Sequence, residues 1–491
     1  MEATPLSWRW SPIEALRRWP LTLPIAALVS GAGDDEARWS VLGVPNAWRE
    51  IPHGASREHS LASLRTIADG SGAARPRGPA PAARSADAPP FSGGWIGYLS
   101  YEFGAIAEPV ALPGGARDPD FPLAGGWRCD AAAVHDARLD RWWWCGGGAP
   151  PDLADPIELE CDLGPIRARL DRGRFESLVR RTIELIRAGD LYQANIAQRF
   201  EAPLEGDSPA GRRALAIAAL ASSGARYGAV VEGPNGRAVV SMSPELFLER
   251  RGDRVITRPI KGTRPRGADR REFLDNEKER AELAMIVDLM RNDLSRVCVP
   301  GSVRVRAARR IESHCGVDHA LAEVEGSLRA DAGTSDLVLA TFPPGSVTGA
   351  PKVRAMQVIE SLEASPRGPY CGAVGLFGDD GDCSLNVAIR TLCVRDGTVT
   401  CSTGCGIVND SDPAAESRES ELKLEPFRRT AEFLRFAGPP REHAPLRAGA
   451  PRRADAPIAA LTPLAAAAVA DATRSREGSA PPRPTAPAGG S

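Results

Sequence analysis

Residues Tyr227 to Ile260 read YGAVVEGPNGRAVVSMSPELFLERRGDRVITRPI. Short apolar and β-branched runs alternate with turn residues, GPNG in the first half and RGD in the second. This pattern predicts paired strands, most simply a meander. The period then changes: from about Asp275 to Asn292 apolar residues recur at helical spacing, and a shorter helix is expected from Pro351, a proline suited to a first helical position. Strands return in CGAVGLFGDDGDCSLNVAIRTLCVRDGTVTCSTG, from Cys371. Strand runs interrupted by single helices lack the regular βαβ alternation of a doubly wound sheet, so the fold class is α+β.

Working outward, Phe175, Leu178, Val179, Ile183 and Ile186 mark a helix over Arg174 to Ala188 that Gly189 and Asp190 end. A last helix is expected from Asp412-Pro413, an N-cap acid followed by proline at N1, to about Phe436. Three stretches depart from globular composition. Asp69 to Pro90 reads as a solvated Ala/Pro/Gly insertion, GGGAPPDLADP from Gly146 as a seam, and residues 438–491 as an Ala/Pro-rich tail with too few large apolar groups to offset ordering entropy. The expected organisation is therefore an N-terminal subdomain over 1–150 carrying the insertion at about 69–90, a catalytic region over 160–437, and a disordered tail over 438–491.

A chain of 491 residues with 43% apolar and 25% charged composition can bury a core of enzyme size. Sixty-one Lys and Arg balance 63 Asp and Glu, and no basic block is long enough to track a phosphate backbone, which argues against a nucleic-acid partner. Charges and prolines interrupt the first residues, and no apolar run reaches membrane-spanning length, so a cytoplasmic location without a membrane partner is expected. The cysteines include no CxxC pair and read as reduced thiols, with Cys401 and Cys405 expected to flank glycine in a loop. No GxGxxG after a strand, GxxxxGK[ST], HExxH or GxSxG is found, which removes the commonest nucleotide, zinc-protease and serine-hydrolase chemistries.

The helix from Asp412 is richest in chemistry. Glu416, Glu419 and Lys423 fall at i, i+3 and i+7, on one face near its first turns. Two carboxylates there can hold a divalent cation, and hard oxygen donors with room for a substrate carboxylate suit Mg²⁺; the same residues can also form a solvated salt-bridge ladder. Glu282 lies in line with Ile286 and Leu289 on a rather apolar face, where a carboxylate needs a partner, either a metal shared with Glu419 or Arg280 or Arg291 at the surface. Lys261, in RPIKGTRPRG, ends a strand beside Gly262 and Thr263. It reads as a turn lysine unless a pocket desolvates it, when its amine could become a nucleophile. Glu245, in SMSPELFLE across the adjoining hairpin, can point into the same pocket. STGCG and PGSVTGAPK present backbone N–H groups able to receive carboxylates.

In order along the chain, GGWIGYLSYEFG, GDLYQANIAQRF, SPELFLE, TRPIKGTRPRG, NEKERAELAMIVDLMRNDLSRV, VDHALAEVEG, FPPGSVTGAPKVRAMQVIESLE, RGPYCGAVG, NVAIRTL and GCGIVNDSDPAAESRESELK resemble the chorismate-utilising enzymes. These comprise anthranilate synthase component I, aminodeoxychorismate synthase component I, and the isochorismate and salicylate synthases. The resemblance spans roughly Gly93 to Phe436. It implies a single large domain of two facing antiparallel β-sheets with helices outside and an active site between the sheets. Within the family, PIKGT is similar to the aminodeoxychorismate synthases, whose lysine is thought to attack C2 of chorismate before ammonia enters at C4; anthranilate synthases carry alanine there. Gln193 stands where isochorismate and salicylate synthases place a water-activating lysine.

Transferred residue by residue, the resemblance implies that Lys261 is the nucleophile and Glu245 the general acid at the C4 hydroxyl, with Thr263 and His319 near that centre. Glu282 and Glu419, with Glu416 in or behind the shell, would hold Mg²⁺ against the ring carboxylate of chorismate. Tyr370, Arg390 and the N–H groups of Gly404 and Gly406 would take the enolpyruvyl carboxylate, and Lys423 would complete the charge balance. The implied enzyme is an aminodeoxychorismate synthase, a transaminase-class transferase in 4-aminobenzoate and folate biosynthesis, with anthranilate synthase component I as the alternative and isochorismate or salicylate synthase behind it. The chain lacks a glutaminase elbow and a pyridoxal-phosphate lyase motif, so a separate glutamine amidotransferase subunit and a later lyase are expected. Cys405, Asn409 and Ser420 depart from the family pattern.

Overall fold

The computed structural model describes residues 3–31, 37–69, 88–111, 118, 120–265, 267, 269 and 276–437, apart from 315 and 316. Most of the expected insertion and all of the expected tail therefore lie outside the described residues. Every strand pair is antiparallel, and hydrogen bonding runs through two sheets joined at one long pair. The first sheet runs Gln193–Glu205, Thr398–Ile407, Thr391–Arg395, Ala238–Ser243, Tyr227–Glu232, Ala26–Val29 and then Trp39–Ile51. The second runs Gly94–Leu99, Ala373–Gly378, Cys383–Val387, Leu246–Arg251, Arg254–Arg258 and Val317–Ser327, which also takes Ile260–Pro265 and Arg304–His314.

Trp39–Ile51 and Ala124–Asp136 belong to both sheets. Their register slips around Pro45, between the Val44–Ala131 and Pro45–Cys129 pairs; a proline cannot donate to a ladder and marks a bulge. Before the slip Ala124–Leu99 pairing leads into the second sheet, and beyond it Ala132–Cys145 pairing closes the first. The bend folds one sheet over the other.

Alternation along each strand builds the layers. Ala229, Val231 and Val239 of the first sheet meet Ile96, Tyr98, Val374 and Leu376 of the second in a core between the sheets. Their neighbours Val230, Val240 and Met242 face outward against helix Pro209–Ser223 and against Phe427 and Leu434 of helix Glu425–Ala437. Trp95, Phe377 and Leu385 face the other way, against helices Glu277–Ser295, Thr334–Thr341 and Lys352–Leu362. Each buried Val or Leu contributes about 1.5–3 kcal/mol, so reversing the alternation on one strand would cost more than the whole net stability of a domain.

Four expectations need correction. Tyr227 to Ile260 forms two hairpins, but not one meander. Ala238–Ser243 takes Thr391–Arg395 as its second neighbour, while Leu246–Arg251 pairs with Cys383–Val387 in the other sheet. The chain changes sheets at Ser243-Pro244-Glu245, where proline supplies no ladder donor. The helix expected from Asp412 to Phe436 is two, Pro413–Leu422 and Glu425–Ala437. Pro426 cannot donate to a preceding turn, so a continuous helix is barred there, although Asp412 does cap the first helix by accepting from Ala415 N–H. STGCG lies within strand Thr398–Ile407 and is not a loop. Pro351, finally, takes the cap position before Lys352–Leu362.

Candidate active site

The two places where the chain changes sheets lie side by side. One is Ser243-Pro244-Glu245; the other, between Cys383–Val387 and Thr391–Arg395, carries Arg390. Met242 N–H donates to the Arg390 carbonyl at 3.0 Å, and Val387 N–H to the Glu245 carbonyl at 3.0 Å.

Glu245 is 4% exposed. Its carboxyl accepts from the Ser346 hydroxyl and the Ile260 N–H and lies near the charges of Lys261 and Arg390, yet burial dominates and pushes its pKa up to about 7. Lys261 Nζ donates to the Ser346 carbonyl at 3.3 Å. Ser346 thus bridges acid and amine. Arg390 adopts a left-handed backbone, φ +50°, and its guanidinium makes no hydrogen bond or ion pair among the described residues. Burial, then repulsion from Arg429, holds it below its usual pKa. An unpaired guanidinium at a buried crossing is suited to a carboxylate ligand.

Strand Thr398–Ile407 forms the opposite wall. Its neighbour Thr391–Arg395 reaches only as far as the Leu392–Cys401 pair, so the edge beyond Cys401 is open to other partners. Lys423 Nζ reaches Gly404 O there at 2.8 Å. Residues two apart on a strand point the same way, which aligns Gly404 with Gly406. A Cβ at either would crowd the end of a neighbouring side chain. A Cβ on Gly404 would stand 3.0 Å from the Tyr370 hydroxyl, and one on Gly406 would stand 2.2 Å from Gln193 Nε2 and 3.7 Å from Lys261 Nζ. Tyr370 is buried, which raises its pKa and keeps it a neutral donor.

Helix Pro413–Leu422 carries the acids. Atoms of Cys405, Glu416 and Glu419 that could ligate a metal lie within 4.8 Å of one another. Two carboxylates at that spacing fit a hard cation, while the thiol donates to the Glu416 carbonyl and burial pushes its pKa far above the thiol range. Glu416 accepts from the Ser411 hydroxyl at 2.7 Å, and Glu419 pairs with Lys423 at 2.7 Å. Glu282 stands half-buried on helix Glu277–Ser295 and is not in that group. Arg280 and Arg291 pair with Glu277 and Asp288.

Residues 44–429 match the family model of the chorismate binding enzyme. The chain belongs to the chorismate-binding enzymes. It is 45% identical over 278 residues to an anthranilate synthase component 1 of Haloarcula marismortui, a stretch covering 55% of each protein and so about half the length of that relative. It is 34% identical over 444 residues to the anthranilate synthase component 1 of Streptomyces coelicolor, 81% of this chain and 84% of that one. It is 37% identical over 353 residues to the aminodeoxychorismate synthase component 1 of Klebsiella aerogenes, 68% and 76%. Among solved structures, anthranilate synthase component I from Streptococcus pneumoniae superposes with a TM-score of 0.66 at 25% identity, covering 79% of this chain and 91% of that one. The menaquinone-specific isochorismate synthase of Escherichia coli shares the fold, with a TM-score of 0.64 at 15% identity over 88% and 93%.

In this chorismate-binding enzyme Glu245, Lys261 and Arg390 converge, and Tyr370, Gly404, Gly406 and Lys423 form the facing wall. Thr263 lies opposite His319 in the second sheet, its side chain outside the described residues; His319 is 4% exposed. Four contributors escaped the sequence reading. Ser346, in the loop expected to offer only N–H groups, supplies hydroxyl and carbonyl. Gln198 and Thr403 both hydrogen-bond Ser420, tying the acidic helix to the sheet. Glu279 packs its carboxylate against the bare Cα of Gly262 and takes Arg264 at 2.7 Å. Among the described residues no helix is long and apolar enough to cross a membrane.

Proposed function

We propose that this chorismate-binding enzyme is the synthase component of an aminodeoxychorismate synthase. The observation that carries the reading is a lysine amine, Lys261, sharing Ser346 with a buried carboxyl whose pKa of about 7 leaves about half of it protonated at neutrality. Lys261 Nζ forms a bond to C2 of chorismate as both ring double bonds shift, C1=C2 to C1=C6 and C5=C6 to C4=C5, and the C4–O bond breaks. Glu245 gives its proton to the departing hydroxyl, which leaves as water. Ammonia then bonds to C4 while the C2–N bond breaks and Lys261 departs, the surplus ammonia proton returning to Glu245 or Lys261. Chorismate and ammonia thus give 4-amino-4-deoxychorismate and water.

Arg390, Tyr370 and the open edge at Gly404 and Gly406 hold the enolpyruvyl carboxylate. Glu416 and Glu419, joined by Glu282 of helix Glu277–Ser295, would hold Mg²⁺, which supplies charge neutralisation for the ring carboxylate. Thr263 and His319 are assigned to the C4 side by the family resemblance alone. Ammonia comes from a separate glutamine amidotransferase subunit, and the product leads toward 4-aminobenzoate and folate.

The relatives named anthranilate synthase favour a second reading, in which ammonia adds at C2 and Lys261 is a bystander. Purified wild type and Lys261→Ala, given chorismate, Mg²⁺ and ammonium, decide between them by product. The proposal expects aminodeoxychorismate from the wild type and its loss in the variant. Anthranilate from the wild type, or unchanged product from the variant, overturns it.

A further inference from the structure

Gln193 is 1% exposed, and its Oε1 is buried without a hydrogen-bond partner among the described residues. An unmade hydrogen bond on a buried amide is costly, so this oxygen is kept for a donor that arrives or turns toward it. The carboxamide lies over the bare Cα of Gly406, and Lys261 Nζ approaches the same point. Lys261 in turn has one acceptor among the described residues, the Ser346 carbonyl at 3.3 Å. As a neutral amine it has two N–H donors and one lone pair. One acceptor leaves the lone pair free to swing; two fix its direction.

We propose that Gln193 is the positioning residue for the nucleophilic amine: its Oε1 accepts the second N–H of Lys261, so that Ser346 and Gln193 together aim the lone pair at the ring. A half-turn of the amide about Cγ–Cδ exchanges Nε2 and Oε1 at nearly equal volume and presents the oxygen to Nζ. Gly406 permits this, because a Cβ there would occupy the space the amide needs. A neutral acceptor also serves where a carboxylate would not, since a carboxylate would pin Lys261 as the ammonium. This inference rests on the lysine-nucleophile reading above.

Single-turnover consumption of chorismate, with Mg²⁺ and excess ammonium over a pH series, tests it in wild type, Gln193→Leu and Gln193→Glu, with chorismate Kd measured by calorimetry. Gln193→Leu is expected to slow turnover about a hundredfold at every pH while changing Kd less than about threefold. Gln193→Glu keeps an acceptor but holds a proton on Lys261, against the nearby charges of Glu245 and Arg390; it should be slow at neutral pH and recover toward wild type as pH rises. A Gln193→Leu rate within threefold of wild type, an equal loss of chorismate affinity and rate, or a Gln193→Glu profile as flat as that of Gln193→Leu overturns the role. Failure of the underlying reading is separate: the wild type would yield anthranilate, or Lys261→Ala would keep the wild-type rate.

Discussion

Glu245 is costly to keep ionised. Its carboxyl titrates at about 7 in the fold against 4.5 in the unfolded chain, so between those values the folded protein holds a proton that the unfolded chain has lost. Stability therefore falls as pH rises through that window, by about 3 kcal/mol once both are crossed. Glu245→Gln removes the charge at constant shape. It is expected to raise stability by about 1–3 kcal/mol at about pH 8 and to change little at about pH 4, measured by urea unfolding; an equal effect at both pH values would contradict a buried ionisation. Activity should be lost in the same variant. Arg390 offers the complementary case. With no protein partner for its guanidinium among the described residues, Arg390→Gln should raise KM for chorismate at least tenfold while leaving the melting temperature unchanged or higher. An unchanged KM would place the enolpyruvyl carboxylate elsewhere. Glu245 and Lys261 were legible in sequence because one hairpin separates them. Ser346 was not: it arrives from a distant segment, and a serine in a glycine-rich turn carries no signal of what it will touch.

At the scale of elements, periodicity found the hairpins and the helices, since apolar alternation is a local property. It could not show which sheet a hairpin joins. Pro244 and the left-handed Arg390 are the devices that move the chain between sheets, and proline in SMSPEL reads equally well as an ordinary turn. The break between Leu422 and Glu425 has its sequence signal in Pro426, inside a helical pattern that otherwise continues to Phe436. Helix Pro413–Leu422 owes its start to Asp412, so Asp412→Ala should cost about 1 kcal/mol of stability. Because that turn presents Glu416 and Glu419, Mg²⁺ affinity by calorimetry should weaken as well; retention of full affinity would detach the metal from this helix. Gly406→Ala is expected to leave the fold intact but displace the Gln193 amide, which lies 2.2 Å from the new Cβ, and so abolish turnover.

Across the whole molecule, one slipped pair of long strands folds a continuous antiparallel network over itself, and the site forms where the chain passes between the resulting layers. That arrangement followed from family resemblance; composition and spacing alone stopped at α+β, because strand partnership is a non-local fact. The proposed dependence on outside ammonia belongs to this scale. The purified chain is expected to turn over with ammonium and not with glutamine, and glutamine-dependent product from the chain alone would remove the need for a partner subunit. The central claim is that Lys261 bonds to the substrate. Its most direct test is to mix the enzyme with chorismate and Mg²⁺ without ammonia, quench with acid, digest, and weigh the peptide containing Lys261. The account predicts that this peptide gains the mass of chorismate less one water, and that added ammonium before the quench discharges it as aminodeoxychorismate. An unmodified peptide, with anthranilate appearing once ammonium is supplied, would contradict it.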